Sequence, residues 1–260
     1  MKRSRCLLTA LLFSVVSCDE APTASGTCLG PQPFSATASV VGIAFTDDCT
    51  APNGLLGDIY QFTVAAQTNI MITMTPTGFA GGLGLFVGPY VEGGTPRLIF
   101  KEFGRGTFGA KAFLPAGTYY IVAGSDEAAG GEYTLASVPT TTTPCTEMTM
   151  AWYTMRGADI TGLLTTADCQ GAPGAFQDMF RLEMDAGEQV AVSVEMNKLG
   201  FVLWRLDGSA SAANLAQFAV LQPNVTAAAT FTAPTKAGFN VHVNSDNLAG
   251  GTLAYSLHIR

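Results

Sequence analysis

Two stretches of this chain carry the same pattern of apolar and polar residues 120 positions apart. CTAPNGLLGDIYQFTVAAQTNIMITM begins at Cys49, and CQGAPGAFQDMFRLEMDAGEQVAVSV begins at Cys169. Few residues are identical: Cys49/Cys169, Gly54/Gly174, Asp58/Asp178 and Ala66/Ala186. The apolar positions nevertheless agree throughout. Tyr60, Phe62 and Val64 match Phe180, Leu182 and Met184, and Ile70, Ile72 and Met74 match Val190, Val192 and Val194. Polar residues stand between them, and a period of two marks strands with one buried face. Between the two runs lies AAQTN or DAGEQ, a turn-like segment, so each copy is expected to carry a β-hairpin.

The copies also end alike. AGTYYIVAGSDEAAGGEYTLASV (116–138) and AGFNVHVNSDNLAGGTLAYSLHI (237–259) each read as strand, Ser-Asp loop, Gly-Gly, strand. Further strands are expected over Ser39–Phe45, Arg97–Lys101, Thr107–Phe113, Asp159–Leu164, Gln217–Leu221 and Ala227–Thr232. The 212–221 stretch, AANLAQFAVL, is also readable as one short helix. About eight short strands per roughly 115 residues describe a β-sandwich. Low charge (13%), abundant glycine (29 residues) and 48% hydrophobic content fit an all-β chain with ample core material.

The amino terminus gives an address. Lys2, Arg3 and Arg5 precede an apolar run from Leu7 to Val16. A run of about ten residues is too short to span a bilayer and has the form of a secretion signal. Val15-Val16-Ser17-Cys18 resembles the bacterial lipoprotein cleavage box. That resemblance implies that Cys18 becomes the first mature residue and is acylated, with palmitate-type chains anchoring the protein to a lipid bilayer. A plain secretion signal with an incidental Cys18 is the competing reading. Asp19 resembles an inner-membrane retention signal, a rule that does not hold in all bacteria. Inner membrane, outer membrane and cell surface therefore all remain open. Loss of the three basic residues takes the net charge from −7 to −10, which argues against nucleic acid and against an electrostatic grip on anionic lipid.

Cysteine usage agrees with an oxidising compartment. Cys6 leaves with the signal, and four of the remaining five fall into two similar pairs, Cys28 with Cys49 and Cys145 with Cys169. Each pair encloses 20 or 23 residues. Closing such a loop contributes about 3 kcal/mol in the chain-entropy account. Four separate thiols or crossed bridges are the alternatives. The resulting organisation is a signal peptide (1–17), a tether (18–27), a first β-sandwich (28–138), a Thr/Pro linker (139–144) and a second β-sandwich (145–260).

GDIYQFTV, LGLFV and AGTYYIVAGSDEAAGGEYTL resemble the bacterial pre-peptidase C-terminal domain. Asp58, Tyr60 and Phe62 fit its early strand; Gly117, Thr118, Tyr119, Tyr120, Gly131, Tyr133 and Leu135 fit its late ones. The second copy departs further, with Gly238-Phe239-Asn240 in place of Gly-Thr-Tyr. The resemblance implies two tandem jelly-roll-like β-sandwich domains and an accessory, non-catalytic role in binding or presentation. A glycan or an envelope protein would be the ligand.

The search for chemistry supports that expectation. His242 and His258 are the two histidines, both on expected strands, and His242 reads as a half-buried strand residue. No nucleophile elbow, His-Glu-x-x-His or phosphate-binding glycine loop occurs in the sequence. No cofactor is expected. Three aspartates recur at the same offset: Asp48/Asp168, Asp58/Asp178 and Asp126/Asp246. Asp47, Asp48 and Asp58 are the candidate calcium ligands; capping of turns or acceptance of local hydrogen bonds is the competing use of such aspartates. Trp152 and Trp204 read as core, with an exposed carbohydrate platform the competing reading, and of Tyr119 and Tyr120 one is expected in the core and one exposed. A scaffold subunit of an envelope or secreted-protease complex, and an enzyme with an unrecognised site, are the alternatives to the binding module.

Overall fold

Alternation of apolar and polar residues is realised as strands in both halves of the chain. The structure, a computed structural model, describes residues 30–44, 48, 50, 55–88, 96–125, 130–140, 151–172, 175–206, 216–246, 248 and 251–260. Among these residues the secondary structure is all β. The first half gives β1 (Gln32–Pro33), β2 (Ser39–Ala44), β3 (Leu56–Val64), β4 (Thr68–Pro76), β5 (Gly81–Val87), β6 (Arg97–Gly104), β7 (Phe108–Leu114), β8 (Gly117–Ser125) and β9 (Gly131–Pro139). The second gives β10 (Ala151–Tyr153), β11 (Asp159–Thr165), β12 (Cys169–Ala172), β13 (Ala175–Met184), β14 (Gln189–Met196), β15 (Gly200–Leu206), β16 (Ala216–Leu221), β17 (Ala227–Thr232), β18 (Ala237–Ser245) and β19 (Thr252–Ile259). The described part of AANLAQFAVL is therefore strand β16, paired with β15 from Gly200↔Leu221 to Arg205↔Ala216, and not helix. Cross-strand partners decide its conformation where its own sequence is ambiguous.

Three sheets form a β-sandwich architecture. One runs β1-β3-β8-β5-β6, a second β16-β15-β18-β13-β10-β7-β4-β9-β2 with β12 beside β13, and a third β11-β19-β14-β17. β3 and β4 lie in different sheets, as do β13 and β14. The expected hairpins are therefore absent. The AAQTN and DAGEQ segments carry the chain from one sheet to the facing one, and both strands turn their apolar residues into the space between. A period of two fixes which face is buried and leaves the hydrogen-bonded partner open.

Pairings recur at the sequence offset. Tyr60 pairs with Ile121 and Phe180 with Val241, both members 120 apart, whereas Ile72 pairs with Ala110 and Val192 with Ala229, a register one residue off that offset. β1 runs parallel to β3 with Gln32 opposite Tyr60, and β10 runs parallel to β13 with Trp152 opposite Phe180. Two main core clusters follow the same division. Tyr60, Phe62, Ile70, Ile72, Met74 and Tyr133 belong to one; Phe180, Leu182, Val190, Val192, Val194 and Tyr255 belong to the other.

The clusters share a wall. β10 pairs in parallel with β7 on one side and with β13 on the other, so it joins strands of both halves into the longest sheet. Every residue of β7 is buried. Ala110, Ala112 and Leu114 face the first core, whereas Phe113 packs in the second. The run FGAKAFL is continuous because neither face of its strand meets water. At the margin of this joint the Tyr153 hydroxyl donates to Glu102 at 2.8 Å, and Arg97 pairs with Glu188 at 2.9 Å.

Candidate functional site

The aspartates singled out at the repeated offset meet tyrosines across the sandwich. The Tyr133 hydroxyl on β9 donates to Asp58 Oδ2 on β3 at 2.6 Å, and the Tyr255 hydroxyl on β19 donates to Asp178 Oδ2 on β13 at 2.6 Å. Each bond links facing sheets. Each tyrosine ring lies on a glycine of the adjacent strand, Gly42 beneath Tyr133 and Gly162 beneath Tyr255. A Cβ at these glycines would come within 2.3 Å and 2.2 Å of the rings, so no larger residue fits without displacing them. Gly42 and Gly162 are themselves 120 positions apart. In the first half the Tyr60 hydroxyl adds a further link, 2.9 Å from the Tyr133 oxygen; Phe180 occupies the matching position in the second half.

Burial sets the electrostatics of these groups. Desolvation raises the Asp58 carboxyl above its ordinary range, with the Tyr133 hydrogen bond opposing it. Asp178 is pushed further, to about 6, by burial, against the Tyr255 hydrogen bond. Both tyrosines are raised well above 10, first by burial and then by neighbouring groups, Tyr60 ahead of Asp58 at Tyr133 and Asp178 at Tyr255.

A cleft of about 890 Å³ opens beside the second of these pairs, where strands of the two halves meet. Asn69 of β4 and Phe113 of β7 come from the first half. Trp152 of β10, the β11 residues from Ile160 to Leu163 with Thr165, Asp168, Asp178, Phe180 and Tyr255 come from the second. Asp168 accepts a hydrogen bond from the Thr165 backbone N–H at 2.5 Å, and burial raises its carboxyl. Lys111 of β7 is 2% exposed, and its Nζ makes no hydrogen bond among the described residues. That ammonium lies 4.8 Å from the centroid of the Trp152 ring. Burial lowers it to about 8, while the carboxylates of Asp178 and Asp168 favour its charged form.

Lys111 and Asn69 are absent from the sequence-level candidates. The only signal for Lys111 is a lone charge inside an otherwise apolar run. The other candidates are placed as follows. Asp58 is tied to Tyr133, and Asp48 lies close enough for its charge to act on Tyr60. Asp47, Cys18, Cys28, Cys49 and Cys145 lie outside the described residues; Cys169, at the start of β12, is buried. Among the described residues no three His, Cys, Asp or Glu side chains gather around a common point suited to a metal. His242 is half-buried on β18, 3.3 Å from the Gln177 side chain, as expected. His258 lies at the surface, 2.5 Å from Asp159, which also bonds Arg260. Trp152 and Trp204 are both core residues. Tyr120 departs from expectation: it is buried like Tyr119, in a small separate cluster with Leu55, Ile59, Phe86 and Val122. Its sheet has apolar packing on both faces, so alternation does not expose it.

No family model matches the chain, and no curated protein matches it. Solved structures do resemble it. The pre-peptidase C-terminal domain of collagenase from Bacillus anthracis is 18% identical over 41% of this chain and 93% of that one, with a TM-score of 0.33. The PBSX exported protein XepA is 12% identical over 85% of this chain and 86% of that one, with a TM-score of 0.23. The CBM22-1-CBM22-2 tandem domain from Paenibacillus barcinonensis Xyn10C is 8% identical over 76% of this chain and 82% of that one, with a TM-score of 0.21.

Proposed function

We propose that the protein is a non-catalytic lipoprotein of the bacterial cell envelope, held to a bilayer by acylated Cys18, whose β-sandwich modules bind or present a ligand outside the cytoplasm. The cleft between the two halves carries this reading. It combines aromatic walls with a few converging polar groups, the usual composition of a ligand site. The division into modules 28–138 and 145–260 is supported by strand pairings that recur at the 120-residue offset. The bridge between Cys145 and Cys169 is supported by Cys169, which is buried and carries a bonded sulfur; the bridge between Cys28 and Cys49 is part of the same reading by its matching spacing.

Val41 and Val138 favour a second reading, a scaffold subunit with a protein partner. They stand on one face of the paired strands β2 and β9 and are 58% and 55% exposed. No cofactor is part of either reading. Calcium at Asp47, Asp48 and Asp58 is the single metal alternative, and a rise in melting temperature with calcium that Asp58→Asn removes would establish it. Nucleic acid is not a proposed partner, given the net charge of −7.

The anchor is tested by the intact mass of the detergent-extracted protein. Acyl chains on an N-terminal Cys18, lost in Cys18→Ser, are expected; a mature N-terminus elsewhere overturns the anchor. Binding is tested by immobilising the full mature chain and challenging it with native envelope fractions. Retention of a component that Asp168→Asn releases is expected, and equal retention by both proteins overturns the cleft as the binding site.

A further inference from the structure

On the binding-module reading above, the kind of ligand follows from the edge of β11. Phe113, Trp152 and Phe180 are at most 5% exposed, so the aromatic lining of the cleft is already packed away. What stays accessible is strand backbone. Ile160, Thr161, Gly162 and Leu163 follow one another along the lining, and alternate residues of a strand point to opposite faces. The cleft therefore runs along the edge of β11 and not over one of its faces. That edge ends the third sheet: β11 pairs with β19 on one side and with no strand on the other among the described residues. The facing sheet continues past β13 to β10, β7 and β4, which brings Asn69 of β4 to the same cleft.

The phase of the hydrogen bonds fixes which groups face outward. The Ile259 N–H donates to the Ala158 carbonyl at 3.0 Å, and the register sets Ile160 opposite Leu257, Gly162 opposite Tyr255 and Leu164 opposite Leu253. Bonded pairs alternate along an antiparallel ladder, so Ile160, Gly162 and Leu164 bond to β19. Asp159, Thr161, Leu163 and Thr165 direct their N–H and C=O groups the other way. At the far end Asp168 accepts the Thr165 N–H at 2.5 Å and closes the edge. Thr161 and Leu163 keep one backbone donor and one acceptor each, with no partner among the described residues. Both side chains stand clear of the core, Leu163 57% exposed. Their backbone groups repeat at about 7 Å, the two-residue spacing of an extended chain, and a polypeptide strand carries matching donors and acceptors at that repeat. No charge, proline or bulge blunts the Thr161–Leu163 stretch, as commonly happens where edges are protected. The nearness of Asn69 favours a single free segment over the edge of a second copy, whose own sheet would follow its strand into the cleft. We propose that the cleft takes an extended polypeptide segment, which adds to β11 as a further strand of the third sheet and sets an apolar side chain beside Leu163. The volume of about 890 Å³ accommodates a short peptide.

Amide exchange reads the edge directly. The full mature chain is titrated with acetylated, amidated heptapeptides in which threonine alternates with alanine, valine, leucine or phenylalanine, and backbone exchange is followed by NMR. Saturable protection of the Thr161 and Leu163 amides by at least one peptide is expected. N-methylation of alternate peptide residues should abolish binding for one set of positions and spare the other, because only one edge of the peptide meets β11. Thr161→Pro and Leu163→Pro each remove one outward N–H while keeping the bonds to β19, and each should weaken binding roughly fivefold or more, the worth of one backbone hydrogen bond. Thr230→Pro, at an outward position of the opposite edge strand β17, should leave it unchanged. If the proline variants fail to fold, the N-methylated peptides carry the test on the unaltered protein. No binding by any of the four peptides overturns the proposal, as does equal binding by both N-methylated sets. Protection of the two amides in the free monomer would place a segment of this chain at the edge, and protection that grows with protein concentration would place a second copy there; either result overturns it. An envelope component that Asp168→Asn releases but Leu163→Pro retains removes this inference and leaves the binding module standing.

Discussion

Tyr255 donates a 2.6 Å hydrogen bond to Asp178 across the second sandwich, and Tyr133 makes the same 2.6 Å bond to Asp58 across the first. Two sheets that meet mainly through apolar side chains are thereby pinned at one polar point in each half. The glycine under each tyrosine is part of the arrangement, because the ring occupies the space a side chain would need.

That arrangement is expected to give an unusual pH profile. Asp178 has a folded value of about 6 against an ordinary 3.8, so between these values the folded state holds a proton that the unfolded state has lost. Stability therefore falls as pH rises from about 4 to about 6, by at most about 3 kcal/mol from this group. Lys111 acts in the opposite sense, with a folded value of about 8 against 10.5. Between these the unfolded state holds the extra proton, and stability rises with pH. A shallow minimum near neutral pH follows. Urea midpoints measured from pH 4 to 10 should show it, with the acid arm reduced in Asp178→Asn, because Asp58 and Asp168 are also raised, and the alkaline arm lost in Lys111→Met. A flat profile in the parent protein contradicts the assignment.

Gly162→Ala and Gly42→Ala should each destabilise by about 1–3 kcal/mol, the usual cost of overpacking. The new methyl group would meet the Tyr255 or Tyr133 ring at close to 2 Å. Gly106→Ala serves as the control, since open space surrounds that position. Denaturant midpoints for the three variants settle the point; equal midpoints would show that the rings move aside freely.

The joint between the halves should be costly to empty. Phe113→Ala and Trp152→Ala each remove an aromatic ring from the second core, at about 3–5 kcal/mol. Val220→Ala, on a residue 61% exposed in the same sheet, should change the midpoint by less than about 0.5 kcal/mol. Similar effects from all three would mean that the joint is loosely packed.

Peptide mapping without reduction should recover Cys28 linked to Cys49 and Cys145 linked to Cys169. Cys169→Ser should cost about 3 kcal/mol by loop entropy. Crossed bridges, or free thiols in protein exported from the cytoplasm, would refute the local pairing.

The sequence disclosed the strands more readily than their neighbours. Ala227–Thr232 is found with its expected ends, and the apolar residues that alternation marks in β3, β4, β13 and β14 are all buried, although β3 also buries Ile59 and β13 also buries Gln177 on the other face. Alternation speaks only of inward and outward faces, so it could not distinguish a hairpin from a crossing between sheets. Tyr120 was misjudged for a related reason: period two assigns it to the second face of its strand but does not say whether water reaches that face. Asp58 and Asp178 were visible as a repeated pair, and their tyrosines were visible as members of a motif. The bond between them depends on the stagger of facing sheets, which a one-dimensional pattern does not carry. The cleft was the least legible feature. It draws Asn69 and Phe113 against Asp168 and Trp152, residues whose proximity depends on β10 entering between β7 and β13.

β7 belongs to both cores at once, with Ala112 turned into one and Phe113 into the other. Neither half can lose its packing without stripping one side of that strand, so the two are thermodynamically welded. Heat should take them apart in a single cooperative event, and a load applied at either end of the chain would be borne by both.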